Sequence, residues 1–222
     1  KLGVFPIGIN SRQFLNELSS PKFQQRKETF RSIHAGQKIV LGVERVDYTK
    51  GILRRFDAIE KFLRNRKKKT KVVFIFIGVP TRGEVKAYKD LLDQIQKRVG
   101  EINGEYASLE YTPIHFIYKS IPFPDLCALY SIADVAMITP LIDGMNLVAK
   151  EYLACKTDST GVLLLSEFAG AAHELFSAVS VNPYDIDNVT QNLEAALEMS
   201  ESEKSEKLKA MRDHVLTYDA AY

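Results

Sequence analysis

The sequence predicts an α/β protein built on a doubly wound parallel sheet. Its 222 residues are 45% hydrophobic, which suffices for a substantial core in one large α/β domain or two small ones. Short apolar runs rich in β-branched residues alternate with longer segments of helical periodicity. That alternation is typical of parallel strands joined by crossover helices. We find no internal repeat and expect residues 1–222 to form one domain.

Six apolar runs predict the strands. Each run is short and nearly continuous in hydrophobic character, as expected for strands that are buried on both faces. The runs are Lys38–Gly42, Val72–Gly78, Ile114–Ile117, Asp134–Ile138, Gly161–Leu165 and Ala178–Val181.

Longer periodic segments predict the helices, and several are bracketed by Gly, Pro, Ser or Asp. Residues 1–36 are less regular, and we interpret Gly3–Ile9 as a strand and turn that enter from an upstream segment. Because Asp219–Tyr222 directly follow an amphipathic segment, we also expect the chain to be cut from a longer protein. The predicted helices are Ile52–Asn65, Gly83–Ile102, Phe123–Ala133, Asn146–Ala154, Ala169–Leu175, Ile186–Met199 and Glu203–Leu216.

Charge and hydropathy exclude several classes of partner. The formal net charge is only +2, so no global field attracts nucleic acid or an anionic membrane. The basic run Arg64–Lys69 has no interleaved aromatic residues and fits a solvated loop. Cys127 and Cys155 are too few for a disulfide framework or a metal cluster, and buried reduced thiols are expected. Since there is neither a membrane-length apolar run nor a signal-peptide layout, we expect a cytoplasmic location and no membrane partner.

Two cations follow the first predicted strand. Arg45 and Lys50 precede the next helix, at the edge where open α/β sheets bind ligands. Together they could neutralise a diphosphate, since Arg offers a planar fork and Lys a mobile point charge. The alternative is a pair of surface cations bridging to Asp47 or Glu44, and position alone does not decide. Arg82, after the next strand, is a further basic candidate whose position alone fits an ordinary helix start.

A second candidate loop, Asp143–Asn146, follows the fourth predicted strand. Gly144 allows close backbone approach, and the amides that begin the next helix can face a phosphate. Glu151 lies inside that helix, where a carboxylate can reach hydroxyl groups of a sugar or ribose. The alternative is an ordinary Asp-Gly turn with Asn146 as the helix N-cap. Phosphate and hydroxyl groups recognised side by side predict a nucleotide-sugar site.

Other polar or small residues carry weaker signals. The small residues Ala171 and Ala172 start the predicted helix after the fifth strand, and tight packing explains them best. His115 and His173 are isolated in sequence, so structural roles are expected for both. No spacing resembles a metal site.

Together these motifs resemble the trehalose-6-phosphate synthases, a family of GT-B glycosyltransferases. The match spans nearly the whole chain, in order. Members of the family place a nucleotide-sugar donor and an acceptor between two Rossmann-like domains, and this chain resembles only the C-terminal, donor-binding domain. The N-terminal acceptor domain is then absent from the chain. The matching stretches are Gly42–Gly51, Arg82–Val85, Arg98–Tyr106, Asp143–Glu151 and Ser166–Ala172.

The resemblance implies roles for individual residues. Arg45 and Lys50 hold the diphosphate of UDP-glucose and stabilise the leaving UDP, and Asp143 contacts glucose hydroxyls; these three are the implied catalytic residues. Glu151 takes the ribose hydroxyls, and Arg82 binds the phosphate of the acceptor, which overrides its helix-start interpretation. The remaining implied donor contacts are Phe123, near the uracil, and Gly144, Met145, Asn146 and Leu147, near the phosphates and the sugar.

The implied reaction transfers glucose from UDP-glucose to glucose 6-phosphate with retention at the anomeric carbon, giving trehalose 6-phosphate. The resemblance implies no metal and no other cofactor, so the cations stabilise the departing diphosphate. Without an N-terminal domain, the chain is expected to bind the donor without turnover. A homo-oligomer or a trehalose-synthase complex is the implied assembly.

Two other functions are alternatives at this point. One is a non-catalytic regulatory subunit of a trehalose-synthase complex, in which the charged site positions would be degraded. The other is a GT-B transferase for a different nucleotide sugar, which Arg82–Val85 disfavours because that stretch suits a phosphorylated acceptor. The charged positions that favour an enzyme are all present: Arg45, Lys50, Arg82, Asp143 and Glu151.

Overall fold

The computed structural model describes residues 6–66, 70–81 and 85–220. Within them, six strands form one parallel sheet in the order β3-β2-β1-β4-β5-β6. The predicted doubly wound, Rossmann-like sheet is therefore confirmed. The strands are β1 (Gln37–Arg45), β2 (Lys71–Val79), β3 (Ile114–Ile117), β4 (Val135–Ile138), β5 (Val162–Ser166) and β6 (Val179–Val181).

Helices connect the strands and cover the sheet. One of them, α3, has the bounds predicted from the sequence, and short 3₁₀ turns occur at Tyr48–Lys50 and Gly170–His173. The helices are α1 (Ser11–Leu18), α2 (Pro21–Ile33), α3 (Ile52–Asn65), α4 (Lys86–Tyr106), α5 (Phe123–Ile132), α6 (Leu147–Cys155), α7 (Ile186–Glu198) and α8 (Glu201–Thr217).

The sheet separates two hydrophobic cores. Because side chains alternate along a strand, Val40 of β1 points to one face and Leu41 to the other. Helices α3, α4 and α7 pack on the face of Val40, and α1, α2, α5, α6 and α8 pack on the face of Leu41. Burial on both faces explains why the central strands read as continuous apolar runs.

Polar side chains fix where four helices begin. Asn10, Ser20, Asp185 and Ser200 each accept a hydrogen bond from a backbone N–H in the first turn of the helix that follows. These bonds satisfy amides that a helix start otherwise leaves without a partner.

The amino-terminal region differs from the prediction. Residues 6–9 of the predicted strand Gly3–Ile9 are irregular, residues 3–5 lie outside the described part, and two helices follow. The carbonyl of Ile9 accepts a hydrogen bond from the amide of Ala220 (2.9 Å), and Ser11 Oγ donates to Asp219 Oδ2 (2.7 Å). The described residues 6–9 therefore contact the residues after α8 and add no strand to the sheet.

The predicted helix Ala169–Leu175 is also wrong, because only the 3₁₀ turn Gly170–His173 forms. Its start is tied to the neighbouring loop by backbone bonds to Asp143 and Met145, and β6 begins soon after it. Two other predictions hold: Cys127 and Cys155 are buried free thiols. Among the described helices, none has the length and apolar character that crossing a membrane requires.

Candidate functional site

The strand order reverses between β1 and β4. From β1 the sheet continues to β2 and β3, and from β4 it continues to β5 and β6 on the opposite side. At such a switch point, the loops that leave the carboxyl ends of the two strands diverge and open a crevice for ligands. Those loops are residues 46–51 after β1 and residues 139–146 after β4. The sequence placed its main site candidates in or beside these loops.

A salt bridge joins the two loops. Lys50 Nζ lies 2.6 Å from Asp143 Oδ2, although the two residues are far apart in the chain. Their side chains are only 12% and 15% exposed, respectively. The amide of Leu141 donates to the carbonyl of Thr49 (2.7 Å), which adds a backbone connection between the loops. The interpretation of Lys50 as a surface cation bridging within its own loop is therefore wrong.

Asp143 is the centre of this hydrogen-bond network. Besides Lys50, Asn146 Nδ2 donates to Asp143 Oδ2 (3.0 Å) and the amide of Met145 donates to Oδ1 (3.3 Å). Burial by itself would raise the pKa of Asp143, but the bonds from these three neighbours outweigh it and lower the pKa. Asp143 is thus held as a carboxylate, which can only accept hydrogen bonds.

Asn146 starts α6 from an unusual backbone conformation. Its φ of 75° and ψ of 84° lie in the left-handed region, which Asn tolerates better than most residues. Its Oδ1 accepts a hydrogen bond from the amide of Ala149 (3.2 Å), so the N-cap interpretation is confirmed. The first turn of α6 directs its positive dipole end toward the loop of Asp143. An anion in the crevice would be stabilised by that end of the helix.

A buried arginine lies beneath both loops. The Arg55 side chain is fully buried and forms a two-pronged ion pair with Glu44, near the end of β1. It also donates to Thr139 Oγ1 (2.8 Å) and to the carbonyl of Lys50 (3.2 Å). One side chain thus connects β1, the Lys50 turn and the start of the loop that carries Asp143.

Arg55 was not among the residues predicted for the site, although its position on α3 carries a signal. Ile52, Phe56 and Ile59 form the buried face of α3, and Arg55 falls on that same face. A charged residue on an apolar helix face requires a partner. Of the two acidic partners considered for Arg45, Glu44 is instead paired with Arg55, whereas the charge of Arg45 helps to lower the pKa of Asp47.

Arg45 and the turn after it border the crevice. Arg45 is the last residue of β1 and is exposed, so it belongs to the strand end and not to the loop proper. Within the described residues its side chain has no hydrogen bond or salt bridge, but its charge helps to lower the pKa of Asp47. Asp47 stabilises the turn by accepting from Thr49 N (2.9 Å) and Thr49 Oγ1 (2.8 Å). Gly51 ends the turn at φ 65°, where an added Cβ would meet the carbonyl of Thr139.

The backbones of Gly144 and Gly170 approach each other closely. A Cβ at Gly144 would meet no atom within 4 Å, whereas a Cβ at Gly170 would collide with the carbonyl of Gly144. Backbone bonds hold the two loops in that position: the amide of Gly170 donates to the carbonyl of Asp143 (2.9 Å), and that of Ala171 to Met145 (2.7 Å). Tight packing of Ala171, as predicted, is confirmed by its complete burial.

Glu151 lies further along α6 and has a different kind of partner. Its Oε2 accepts a hydrogen bond from the hydroxyl of Tyr130 (2.9 Å), a residue of α5. Burial raises the pKa of Glu151, and the bond from Tyr130 lowers it only in part. Among the described residues, no salt bridge to Glu151 is found. The site therefore holds one carboxylate paired with a cation and one paired with a neutral hydroxyl.

Lys50, Asp143 and the N-terminus of α6 meet at one edge of the sheet, with Arg45 at the end of β1 and Glu151 further along α6. The model of glycosyltransferase family 20 matches residues 1–222. The chain belongs to that family. The bifunctional trehalose-6-phosphate synthase/phosphatase of Thermoproteus tenax is 44% identical over 220 residues, which cover 99% of this chain and 30% of that protein.

Solved structures extend the family 20 assignment to the fold. An α,α-trehalose-phosphate synthase (UDP-forming) from Burkholderia xenovorans, in complex with glucose-6-phosphate, superposes with a TM-score of 0.93 at 37% identity. The match covers 99% of this chain and 49% of that one. A trehalose-6-phosphate protein from E. coli, bound with UDP-2-fluoro glucose, gives 0.90 at 38% identity, covering 98% and 49%. The family 20 chain thus spans half or less of the length of these relatives.

The other predicted site residues lie at helix starts or outside the described residues. Phe123 begins α5, and its ring packs edge-on against Phe14 at 5.0 Å between centroids. Leu147 begins α6 beside Asn146. Arg82 lies outside the described residues. Within the described parts of this family 20 chain, no group of three or more His, Cys, Asp or Glu side chains could hold a metal ion.

Proposed function

We propose that this chain is the donor-binding domain of an α,α-trehalose-phosphate synthase. The reaction transfers glucose from UDP-glucose to glucose 6-phosphate with retention, giving trehalose 6-phosphate. The observation that carries the proposal is the Lys50–Asp143 pair at the switch point of a family 20 chain. Relatives bound to glucose-6-phosphate and to UDP-2-fluoro glucose support it.

In this proposal, Lys50 and Arg45 bind the diphosphate. An ammonium group has three donors, so Lys50 can keep its bond to Asp143 and still donate to phosphate oxygens. Arg45 adds a planar fork at the exposed strand end. Negative charge develops on the diphosphate as the glycosidic bond breaks, and fixed cations beside it stabilise the transition state.

The two carboxylates bind the sugar parts of the donor. Asp143 is ionised and oriented by its neighbours, so it accepts hydrogen bonds from glucose hydroxyls. Backbone groups of residues 144–147 line the same loop, next to the positive end of α6. Glu151 accepts hydrogen bonds from the ribose, and Phe123 borders the uracil.

The acceptor half of the proposal depends on parts beyond the described residues. Arg82 binds the phosphate of glucose 6-phosphate, and an N-terminal domain outside this chain provides the other acceptor contacts. Turnover therefore requires both domains, whereas donor binding requires only this one. We propose that no metal takes part, since Lys50 and Arg45 supply the positive charge at the diphosphate in this proposal.

Calorimetric titration with UDP, UDP-glucose and GDP-glucose in EDTA tests the donor site. The uridine ligands should bind selectively without metal. Lys50→Met or Arg45→Ala should weaken UDP binding about 10- to 150-fold, since each removes a charge-assisted contact worth about 1.5–3 kcal/mol. Lys61→Met is the matched control, because Lys61 also pairs with an aspartate, Asp187, but lies on the exposed side of α3.

Three results would contradict the proposal. They are no selective uridine binding by the folded chain, loss of binding on addition of EDTA, and equal affinity in the Lys50→Met and Lys61→Met variants. Donor binding combined with no trehalose 6-phosphate formation by the complete protein would favour the regulatory-subunit alternative.

A further inference from the structure

Glu151 is a carboxylate that is largely removed from water and has no cation as a partner among the described residues. It lies on α6, within hydrogen-bond distance of Tyr130 of α5, and no salt bridge to it is found in the described parts of the chain. A buried carboxylate without a cation is costly unless it gains hydrogen bonds. Its side chain has one such bond, from the hydroxyl of Tyr130 (2.9 Å).

Tyr130 is suited to be a permanent donor to Glu151. It is 1% exposed and packs edge-on against Tyr152, with 6.5 Å between the ring centroids. Burial, followed by the nearby charge of Glu151, raises the pKa of Tyr130 far above its ordinary value. The phenol therefore keeps its proton near pH 7, and the packing of its buried ring leaves the hydroxyl little freedom to turn away.

We propose that Tyr130 is a positioning residue that orients Glu151 toward the ribose 2′-hydroxyl and thereby makes the site select ribonucleotides over 2′-deoxyribonucleotides. The inference rests on the proposed function, in which the ribose of the donor contacts Glu151. Tyr130 itself touches no substrate; it acts through the carboxylate.

The two oxygens of the Glu151 carboxylate have different hydrogen-bond partners in this proposal. Tyr130 occupies Oε2 of Glu151, which leaves Oε1 to accept from the nucleotide. Acceptance from a hydroxyl is strongest when Glu151 is ionised. The titratable groups of α5 and α6 that interact with Glu151 are Tyr130 and Cys155, and their surroundings raise the pKa of both, which keeps them neutral near pH 7. The tyrosine hydroxyl is thus the group that favours the ionised form.

Tyr130→Phe removes this hydroxyl and little else. The variant should bind UDP about tenfold more weakly, the loss expected for one hydrogen bond to a charged group. Its affinity for 2′-deoxyuridine diphosphate should stay as in the wild type, so the preference for UDP should shrink. In addition, the fall of UDP affinity on acidification should begin at a higher pH, because Glu151 loses the bond that stabilises its ionised form.

Tyr152→Phe is the matched control. Tyr152 is the neighbour of Glu151 in α6 and is equally buried, but its hydroxyl faces the carbonyl of Ala133 (3.5 Å). This variant should keep the UDP preference and the pH profile of the wild type. Glu151→Gln should lose the preference, and adding Tyr130→Phe to it should cause no further loss. That double variant shows whether the Tyr130 hydroxyl acts only through Glu151.

The outcomes separate this inference from the proposed function. No UDP binding by the wild-type chain would overturn both. UDP binding with equal loss of UDP and 2′-deoxyuridine diphosphate affinity in Tyr130→Phe would overturn only the positioning role, as would an unchanged pH profile. A shrunken preference with a shifted pH profile, absent in Tyr152→Phe, supports it.

Discussion

The two carboxylates of the candidate site are held in opposite ways. Asp143 lies at the loop between β4 and α6, pairs with Lys50 and has a lowered pKa. Glu151 lies inside α6, accepts a bond from the neutral Tyr130 and has a raised pKa. The difference shows that proximity in the chain does not decide ionisation; the neighbouring charges and the burial of each group do.

The same difference gives the two groups opposite effects on stability. Asp143 has a lower pKa in the folded protein than in the unfolded chain, where the pKa is near 3.8, so its ionised form stabilises the fold at pH values above 3.8. That contribution is lost as the pH falls through the pKa of the folded protein. Glu151 has a pKa raised above its ordinary 4.5, so its ionisation opposes folding as the pH rises from 4.5 through the folded value. Four variants test this contrast and the contacts that hold the two loops in place.

The largest effect is expected from Arg55→Met. Removing this cation leaves Glu44 as an unpaired charge beneath the Lys50 loop, which should lower the free energy of unfolding by about 3–5 kcal/mol. Urea denaturation measures the change. Arg98→Met is the control: Arg98 pairs with Asp57 and Glu60 near the surface, where such pairs contribute about 0–1 kcal/mol. Equal losses in the two variants would show that Arg55 does not support the site.

Gly170→Ala should have the next largest effect. The new methyl group would collide with the carbonyl of Gly144 and displace the Asp143 loop, at a cost of about 1–3 kcal/mol. Gly144→Ala is the matched control, since its methyl group would meet open space. Thermal unfolding of both variants checks the prediction, and a stable Gly170→Ala protein with unchanged UDP affinity would contradict it.

Asp143→Asn should cost on the order of 1 kcal/mol in the free energy of unfolding at about pH 7. The physical reason is the loss of the charge that Lys50 pairs with. The cost should shrink as the pH is lowered below 3.8, because the wild-type carboxylate then also becomes neutral. Denaturation curves across this pH range measure it; a pH-independent difference would mean that the pair does not stabilise the fold.

Glu151→Gln should have the smallest effect, in the opposite direction. It removes a charge that burial disfavours, so stability at about pH 7 should be equal to or slightly above that of the wild type. The variant should also lack the decline in stability that Glu151 ionisation causes above pH 4.5. The same denaturation series detects this. A clear destabilisation would contradict the prediction, because it would mean that ionised Glu151 stabilises the fold as Asp143 does.

Much of the fold followed from the sequence because burial leaves a clear pattern. All six strands coincide with predicted apolar runs, and α3 has its predicted bounds. The helices α1 and α2 were not predicted, since they bury few residues and their composition is largely polar. The predicted helix Ala169–Leu175 failed because its segment is tied by backbone bonds to a distant loop.

Individual candidate residues could be proposed from the sequence, but the contacts between them could not. Lys50 and Asp143 were each placed at the ligand-binding edge, yet their pairing depends on β1 and β4 being neighbours, which requires the strand order. Arg55 and Tyr130 act through contacts between helices and loops that no local motif encodes. Gly144 drew attention through its Asp-Gly turn, whereas the structural constraint falls on Gly170.

A crystal structure of the chain with UDP-glucose, grown in EDTA, tests the central claim most directly. We expect the diphosphate to lie within hydrogen-bond distance of Lys50 Nζ while the Lys50–Asp143 contact is retained. Glucose hydroxyls should donate to Asp143, and ribose hydroxyls should donate to Glu151. A ligand bound elsewhere, or a diphosphate that contacts neither Lys50 nor Arg45, would contradict the assignment of the switch point as the donor site.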